Sequence, residues 1–354
     1  MNRNYIFTKG DKLKNKNFFD EIEDKLGRGS ITIENRPISV IPTGSLALDV
    51  SIGVGGIPRG KITELFGAEG TGKTTMALEL SRNNIELGGK TLYIDVENML
   101  DYAYASRLSH DPNFENLVIV QPDTAEDAFM TAEAGIDSGD FSLIILDSVG
   151  ALAPKKEKDD KFEDFNVALV PRLMSKFLRR ASYGIREKDI AFVFLNQVRD
   201  KIGGYVQGYS TPGGHALKHF TSLIISLGKG ATIKSGEDVI GAFSKFVIKK
   251  NKLAPPFRSY TIPFTFGEGI DRYKDFVTFA EVAGALQKSG SFYKFDDETI
   301  AQGTKKTIEA LKENPELLDK IREKVYNITS RYERIVEEVS EEEEEIVDEH
   351  EFED

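Results

Sequence analysis

The sequence of 354 residues contains no cysteine, and this absence excludes disulfide bonds and metal sites built from thiolates. No segment approaches about 18 consecutive apolar residues, and no basic N-terminal stretch leads into an apolar run. Histidine is scarce, and its four copies at positions 110, 215, 219 and 350 are too scattered to favour a zinc site. We therefore expect a soluble, cytoplasmic protein without a membrane partner.

Basic residues are missing from one part of the chain, which explains the net charge of −12. Residues 337–354 hold twelve Asp and Glu and no Lys or Arg, so acids and bases balance over residues 1–336. A run of carboxylates repels itself and cannot bury enough apolar surface to fold, which predicts a disordered acidic tail. The tail serves either solubility or regulation, and its composition does not separate the two.

A glycine-rich turn within residues 61–80, KITELFGAEGTGKTTMALEL, joins a short apolar strand to a helix. Gly67, Gly72, Lys73 and Thr74 occupy the fixed positions of a phosphate-binding loop. In such a loop glycines let N–H groups surround phosphate oxygens, the lysine adds charge, and the threonine hydroxyl binds Mg²⁺. We predict an ATP and Mg²⁺ site. Its predicted binding residues are Gly67, Ala68, Glu69, Gly70, Thr71, Gly72, Lys73, Thr74 and Thr75.

Apolar runs alternate with helical patterns after this loop, which is typical of a doubly wound α/β sheet covered on both faces. The predicted strands are residues 91–97, 117–121, 143–149, 191–197 and 222–227, with helices at 125–137 and 169–186. The pattern becomes antiparallel after Gly228, and a compact appendage with three helical stretches and one small strand follows from Tyr273. The predicted fold class is α/β, a P-loop NTPase with a largely parallel central sheet.

Polar residues end several of these apolar runs, and in such sheets ligands bind at the carboxyl ends of the strands. Asp147 follows LIIL and is expected to orient Mg²⁺. Glu97, at the end of YIDVE, is a candidate general base for an attacking water. The amides of Asn196 and Gln197 are expected to sense a γ-phosphate.

Two segments between the strands, 154–166 and 198–214, are too long for simple turns and are predicted to be mobile loops. The second mixes cations with aromatic residues among five glycines, a composition that suits single-stranded nucleic acid or a plain surface loop. Its candidate DNA-binding side chains are Arg199, Lys201, Tyr205 and Tyr209.

Many short stretches, in one order, resemble the bacterial RecA-type homologous recombinases, including bacteriophage-encoded versions, from about Asp20 to Arg334. They are LGRGSI, PTGSLALD, GGIPRGKITELFG, GAEGTGKTT, YIDVEN, LVIVQPDT, SLIILDSVGAL, FLNQVRDKIG, TPGGHALKH, KKNKLAPPF, FGEGI and GSFYKF. The resemblance implies a cytoplasmic DNA-dependent ATPase that forms a filament on single-stranded DNA and exchanges strands with double-stranded DNA. It also implies roles in DNA recombination, DNA repair and the SOS response to DNA damage.

The resemblance also assigns roles to individual residues. Glu97 would activate water with Glu69 assisting, and Gln197 would couple the γ-phosphate to the second loop. Asp101 and Tyr104 match adenine contacts, and Thr74 with Asp147 would hold the metal. Lys250 and Lys252 match lysines that reach the ATP of a neighbouring subunit, beside Lys73 of the bound subunit. Arg172, Arg179, Arg199, Gly213 and Gly214 match DNA-contacting positions.

The resemblance further implies a domain plan, and His219 is among the positions where the chain departs from the family. The plan is an N-terminal helix-strand oligomerisation arm at 1–36, a RecA-type ATPase core at 37–270, a small C-terminal α/β domain at 271–336 and the acidic tail. DNA-binding loops are expected at about 154–167 and 198–214. His219 stands where the family commonly has an aromatic residue, so coupling between ATP and DNA is expected to be weaker or pH-sensitive.

Two other functions remain open on sequence grounds. A ring-forming helicase or DNA-repair ATPase would share the phosphate loop and the acidic strand ends, although the APPF and GSFYKF stretches argue against it. A passive single-strand coating protein would have no need of Glu97 and Gln197 beside an intact phosphate loop.

Overall fold

The computed structural model describes residues 38–159, 169–197 and 212–329. The predicted N-terminal arm, the acidic tail and most of both predicted loops lie outside these ranges. Contacts divide the chain into two units, Ser39–Thr329 and a unit made of Met1–Ile38 with Ser330–Asp354. All the elements given below belong to the unit Ser39–Thr329. None of its described helices is both long and apolar enough to cross a bilayer.

The elements of the ATPase region follow one another in the order expected of alternating strands and helices. They are β1 (Val40–Ile41), α1 (Leu46–Ile52), β2 (Ile57–Pro58), β3 (Ile62–Gly67), α2 (Lys73–Glu86), β4 (Thr91–Asp95), α3 (Tyr102–Ser109), β5 (Leu117–Val120), α4 (Ala125–Ser138), β6 (Leu143–Asp147), α5 (Lys155–Asp159), α6 (Leu169–Glu187), β7 (Ala191–Gln197) and α7 (Gly214–Phe220). Side-chain caps fix several helix starts, for example Ser45 before α1 and Thr124 before α4.

The remaining elements form the antiparallel extension of the sheet and the C-terminal appendage. They are β8 (Leu223–Ser235), β9 (Asp238–Asn251), β10 (Ser259–Thr265), β11 (Gly269–Ile270), α8 (Arg272–Val282), β12 (Gln287–Ser289), β13 (Phe292–Phe295), β14 (Glu298–Gln302), α9 (Gly303–Glu313) and a last helix over residues 315–329.

Within the described ranges, nine strands form the central sheet, in the order β11-β10-β9-β8-β3-β7-β6-β4-β5. The six strands from β8 to β5 are parallel, and β9, β10 and β11 add to the edge in antiparallel pairs. Gly67 lies opposite Gln197 on one side and Leu227 on the other, while Asp95 lies opposite Asp147. This register brings the polar strand ends together at one edge, next to the phosphate loop.

Each face of the sheet is covered by its own apolar cluster, as continuous hydrophobic strands require. Leu65, Tyr93 and Ile145 face the cluster that includes α2 and the C-terminal appendage. Phe192 and Phe194 face the other, where Phe177 of α6 lies against them and stacks on Phe129 of α4 at 4.8 Å between ring centroids. The two layers confirm the predicted α/β class with a largely parallel sheet.

Several predicted element boundaries are wrong, each for a physical reason. The strands predicted at 91–97 and 143–149 end at Asp95 and Asp147, because the chain turns at the polar residues and a 3₁₀ turn follows at Val149–Ala151. The strand predicted at 222–227 continues to Ser235, since β9 pairs with its whole length. The predicted loop 154–166 begins with the helix α5, and the appendage has three strands instead of one.

Two carboxyl groups are buried where α8 of the appendage packs on α1. Asp275 accepts hydrogen bonds from the Ser45 hydroxyl (3.0 Å) and the Ala47 N–H (3.4 Å). Asp49 accepts one from the Thr43 N–H (2.8 Å). Burial raises the pKa of each carboxyl to about 7, and the hydrogen bonds oppose that shift. The junction therefore contains two acids that ionise reluctantly.

Candidate nucleotide-binding site and DNA-facing elements

The phosphate loop connects β3 to α2, and its glycines meet backbone requirements that other residues would not. A Cβ on Gly67 would lie 2.3 Å from the Leu227 carbonyl oxygen on β8. Gly70 and Gly72 have φ angles of 71° and 89°, in the left-handed region. Gly72 is also the N-cap of α2, so the unpaired N–H groups of the helix begin inside the loop. The loop has the shape and dipole of a phosphate site.

The Lys73 ammonium lies within the loop. It donates hydrogen bonds to the carbonyl oxygens of Gly67 (3.0 Å) and Ala68 (2.9 Å). Burial lowers the pKa of Lys73, and nearby carboxylates oppose that shift. These carboxylates belong to Asp147, Glu97 and Glu69. The lysine is thus a cation held at the position where a phosphate would replace the backbone carbonyls as its partner.

Asp147 and Thr74 meet beside the loop. The Thr74 hydroxyl donates to Asp147 Oδ2 at 3.3 Å, and the Tyr93 hydroxyl donates to the same oxygen at 2.6 Å. Burial raises the pKa of Asp147 to about 6, while the Tyr93 hydrogen bond opposes that shift. A divalent cation would stabilise the charged carboxylate here.

Hydroxyl and carboxylate oxygens are the ligands that Mg²⁺ prefers, so Thr74 and Asp147 fit this ion. Over residues 38–159, 169–197 and 212–329, no group of three or more His, Cys, Asp or Glu side chains could hold a metal alone. A cation at Thr74 and Asp147 would therefore also need phosphate oxygens or water as ligands.

Glu97 lies at the same edge with two donors on one carboxylate oxygen. Gln197 Nε2 donates to Glu97 Oε1 at 2.8 Å, and the Ser148 hydroxyl donates to the same atom. Both donors therefore meet one carboxylate oxygen, and Oε2 is the oxygen that could accept a proton. Sequence reasoning missed Ser148, although it directly follows the strand-end Asp147 in the chain.

Asn196 does not have the position that sequence reasoning expected. It is fully buried, and its Nδ2 donates to Glu64 Oε1 and to the Pro212 carbonyl oxygen, both at 2.9 Å. Successive residues of a strand point to opposite faces, so Asn196 cannot join Gln197 at the phosphate side. Asn196 instead ties the end of β7 to Pro212, just before α7.

A cavity of about 540 Å³ opens beside the phosphate loop. Thr75 and Tyr104 form one wall, and their hydroxyl groups are 2.9 Å apart. Sequence reasoning missed the opposite wall, which comes from β8, β9 and the end of β10 and includes Phe243, Phe264, Thr265, Phe266 and Gly267. These residues lie far from the loop in sequence, and only the FGEGI stretch hinted at them. Mostly apolar walls of this size suit a nucleoside.

Asp101, the other expected adenine contact, caps α3. Its Oδ1 accepts a hydrogen bond from the Tyr104 N–H at 3.1 Å, and this cap fixes the start of the helix that carries Tyr104. Glu69 is exposed on the phosphate loop itself. Tyr104 lines the cavity beside Gly70 of the loop, and Glu69 precedes Gly70 in the chain.

Lys250 and Lys252 lie toward the amino ends of the parallel strands, whereas the phosphate loop follows the carboxyl end of β3. Lys250 is opposite Ile224 on β8, which is beside Glu64 on β3, three residues before Gly67. At about 3.3 Å per residue this separates Lys250 from the phosphate loop by roughly 10 Å along the strands. Its ammonium donates to the Lys218 carbonyl oxygen (2.6 Å), away from the loop, and burial lowers its pKa. Neither lysine meets the loop of its own chain.

The expected DNA-contacting residues are only partly within the described ranges. Arg172 and Arg179 are exposed two turns apart on one face of α6, where Arg179 donates to the Ser175 hydroxyl at 2.8 Å. Gly213 and Gly214 both have left-handed backbone conformations at the start of α7. Arg199, Lys201, Tyr205 and Tyr209 lie outside the described residues. His219 is exposed near the end of α7, with its ring 5.8 Å from that of Phe220.

Comparison with known proteins gives consistent matches over most of the chain. The family model of the RecA N-terminal domain matches residues 14–271, and that of the RecA C-terminal domain matches residues 275–329. Protein RecA of Syntrophus aciditrophicus is 41% identical over 327 residues, which cover 90% of this chain and 94% of that protein. Protein RecA of Thermus thermophilus is 41% identical over 315 residues, covering 87% and 92% of the two chains.

A solved structure described as the RadB recombinase has a similar fold. It superposes with a TM-score of 0.50 and 19% identity, covering 65% of this chain and 98% of that one. At this identity the likeness supports the arrangement of strands and helices alone.

Proposed function

The chain belongs to the RecA family, and from that premise we propose how its residues perform the family's reaction. It is a RecA-type recombinase and a DNA-dependent ATPase that acts in recombination and repair. We propose that it forms a head-to-tail helical filament on single-stranded DNA in the cytoplasm. The filament would pair that strand with a homologous duplex and exchange the strands.

The contact between Gln197 and Glu97 carries this proposal. The 2.8 Å hydrogen bond joins Gln197, the residue that precedes the segment 198–211, to a carboxylate beside the phosphate loop. We propose that Gln197 leaves Glu97 for the γ-phosphate when ATP binds. This movement would shift the adjoining protein segment 198–211, which is proposed to bind DNA. Asn196 would keep the base of that segment fixed through Pro212 during the change.

For hydrolysis, Glu97 is the proposed general base. With Gln197 engaged elsewhere, its carboxylate would accept a proton from water aligned with the γ-phosphate. The Ser148 hydroxyl would keep the carboxylate in position, and Glu69 would assist from the exposed side of the loop. Lys73 would exchange its carbonyl partners for phosphate oxygens.

Thr74 and Asp147 are the proposed Mg²⁺ residues, in keeping with their oxygen ligands. When bound, the ion would neutralise phosphate charge and orient the triphosphate. Tyr93 would hold the Asp147 carboxylate in position through its hydrogen bond to Oδ2. Tyr104 and Asp101 are the proposed adenine contacts.

Lys250 and Lys252 are proposed to act on the ATP of a neighbouring subunit. They lie at the opposite end of the parallel strands from their own phosphate loop, so a head-to-tail arrangement is needed to bring the two ends together. Cations aimed at a developing phosphoryl charge stabilise the transition state. Hydrolysis would then depend on assembly.

The remaining proposals concern DNA binding and the roles of the domains. Arg172 and Arg179 on α6, with Arg199, Lys201, Tyr205, Tyr209, Gly213 and Gly214 in and beside the second loop, are proposed to bind single-stranded DNA. We propose that residues 1–36 form the subunit contact, that 37–270 form the core, and that 271–336 bind duplex DNA under the control of the tail 337–354.

Electron microscopy tests the proposed function directly. The full chain is mixed with single-stranded DNA and a slowly hydrolysed ATP analogue, and ATP turnover is measured with and without DNA. Helical filaments and DNA-stimulated turnover are expected. Closed rings would favour a helicase or repair ATPase, and DNA coating that is indifferent to ATP would favour a passive binding protein.

A further inference from the structure

A cation outside the phosphate-loop motif lines the nucleotide cavity. Lys229 on β8 faces the cavity beside Gly70 of the loop, and it is the single charged residue among the described residues that line this space. A Cβ built on Gly70 would lie 3.7 Å from both Cε and Nζ of Lys229. The ammonium is therefore at the surface of the phosphate loop itself.

The backbone on each side of Lys229 is attached to the loop. Leu227 pairs with Gly67 and approaches it so closely that a Cβ there would clash with the Leu227 carbonyl oxygen. The Ser244 hydroxyl lies 2.8 Å from the Thr71 carbonyl oxygen and 3.3 Å from that of Gly228. These contacts hold the backbone on both sides of Lys229 against the phosphate loop. The ammonium is therefore carried by a part of β8 that is attached to the loop.

The space around Lys229 is open to a ligand. Gly228 and Gly230 flank it in the chain, so neither neighbour contributes a side chain to this part of the strand. The rest of the cavity is built from aromatic rings, hydroxyl groups and glycines, which suit a nucleoside but leave a polyphosphate's charge to other groups. An ammonium on a flexible stem is a common phosphate ligand.

We propose that Lys229 contacts a phosphate oxygen of the nucleotide bound to its own subunit, as a second lysine beside Lys73. The inference rests on the proposed function for the identity of the ligand, a nucleoside di- or triphosphate. Lys229 would reach the phosphates from the strand β8, whereas Lys73 would reach them from the start of the helix α2. The phosphates would therefore be contacted by lysines from two elements, the strand β8 and the helix α2.

Nucleotide binding by the full chain without DNA tests this role. Dissociation constants for ADP and adenosine are measured by calorimetry for the wild type, Lys229→Met, Lys229→Arg and the control Lys234→Met. Lys234 is an exposed lysine on the same strand that does not line the cavity. We expect Lys229→Met to weaken ADP about tenfold with adenosine unchanged, Lys229→Arg to regain most of the loss, and Lys234→Met to match the wild type.

Three results would overturn the proposal. They are an unchanged ADP affinity in Lys229→Met, an equal loss for adenosine, and an equal loss in Lys234→Met. Weaker DNA binding with unchanged ADP affinity would make Lys229 a DNA contact instead. Thermal melting of each variant checks folding, and Lys229→Arg keeps the test valid if the methionine variant is unstable. Wild-type filament formation and DNA-stimulated turnover are scored separately, so failure of the proposed function is distinguishable from failure of the lysine contact.

Discussion

Replacing Asp49 with asparagine is expected to reduce the stability that the protein loses as pH rises to neutrality and above, because the change removes a buried carboxyl group. The amide keeps an oxygen for the Thr43 N–H and has nearly the same volume. Burial raises the pKa of Asp49 from 3.8 to about 7, so the native state disfavours its charged form. Asp275 lies close enough to add to that shift, and its own pKa is also about 7.

The sign and size of the effect follow from proton linkage. Below about pH 4 the Asp49 carboxyl is protonated in both states and adds no pH dependence. Between about pH 4 and pH 7 the folded carboxyl keeps a proton that the unfolded one has lost, so its contribution to stability falls as pH rises. At about 1.4 kcal/mol per pH unit, and less near the folded pKa, the loss from pH 5 to pH 8 is about 2 to 3 kcal/mol.

Urea unfolding followed by far-UV circular dichroism measures this difference. The free energy of unfolding of Asp49→Asn minus that of the wild type should grow by about 2 to 3 kcal/mol between pH 5 and pH 8. Asp238→Asn, the same change at an exposed carboxyl on β9, is the matched control. Parallel profiles for Asp49→Asn and the wild type would refute the reasoning, whatever their offset.

Three further predictions concern the reaction. Glu97→Gln should abolish DNA-stimulated ATP turnover while leaving ATP binding intact, because the amide cannot accept the water's proton; undiminished turnover in a phosphate-release assay would make the assignment wrong. A Lys250→Ala, Lys252→Ala protein mixed with a Lys73→Ala protein should regain some turnover at mixed interfaces, and no recovery in co-assembled filaments would contradict action between subunits. Removing residues 337–354 should tighten duplex binding at low salt, with an advantage that shrinks as salt screens charge over about 8 Å; equal affinity of the two proteins at low salt would leave the tail a solubility role.

Sequence predicted the core of the fold because its signals are local. The apolar runs that became β4, β6 and β7 are continuous, and the residues that follow them lie at one edge of any parallel sheet. Contact between Gln197 and Glu97, and between Thr74 and Asp147, follows from that rule once the strands pair. The roles of these residues in ATP binding and hydrolysis stay predictions.

What sequence did not predict depends on pairing between distant segments. The walls from Phe243 and from Phe264 to Gly267 reach the loop only because β9 and β10 extend the sheet past β8. The direction of Asn196 depends on which of two adjacent residues faces Glu64, a matter of register that composition does not encode. Lys229 was overlooked for the same reason, since its nearness to Gly70 is a property of the β3–β8 pairing.

Lys250 and the phosphate loop lie toward opposite ends of the parallel strands, and this placement determines how many complete catalytic sites an assembly contains. If each nucleotide is completed by the next subunit, an open chain of n subunits holds n − 1 complete sites, and one terminal subunit always lacks its lysines. Turnover per subunit should then climb with chain length and level off, so dimers run at about half the rate of long chains. The fraction of sites that can hydrolyse ATP would therefore report the length of the assembly.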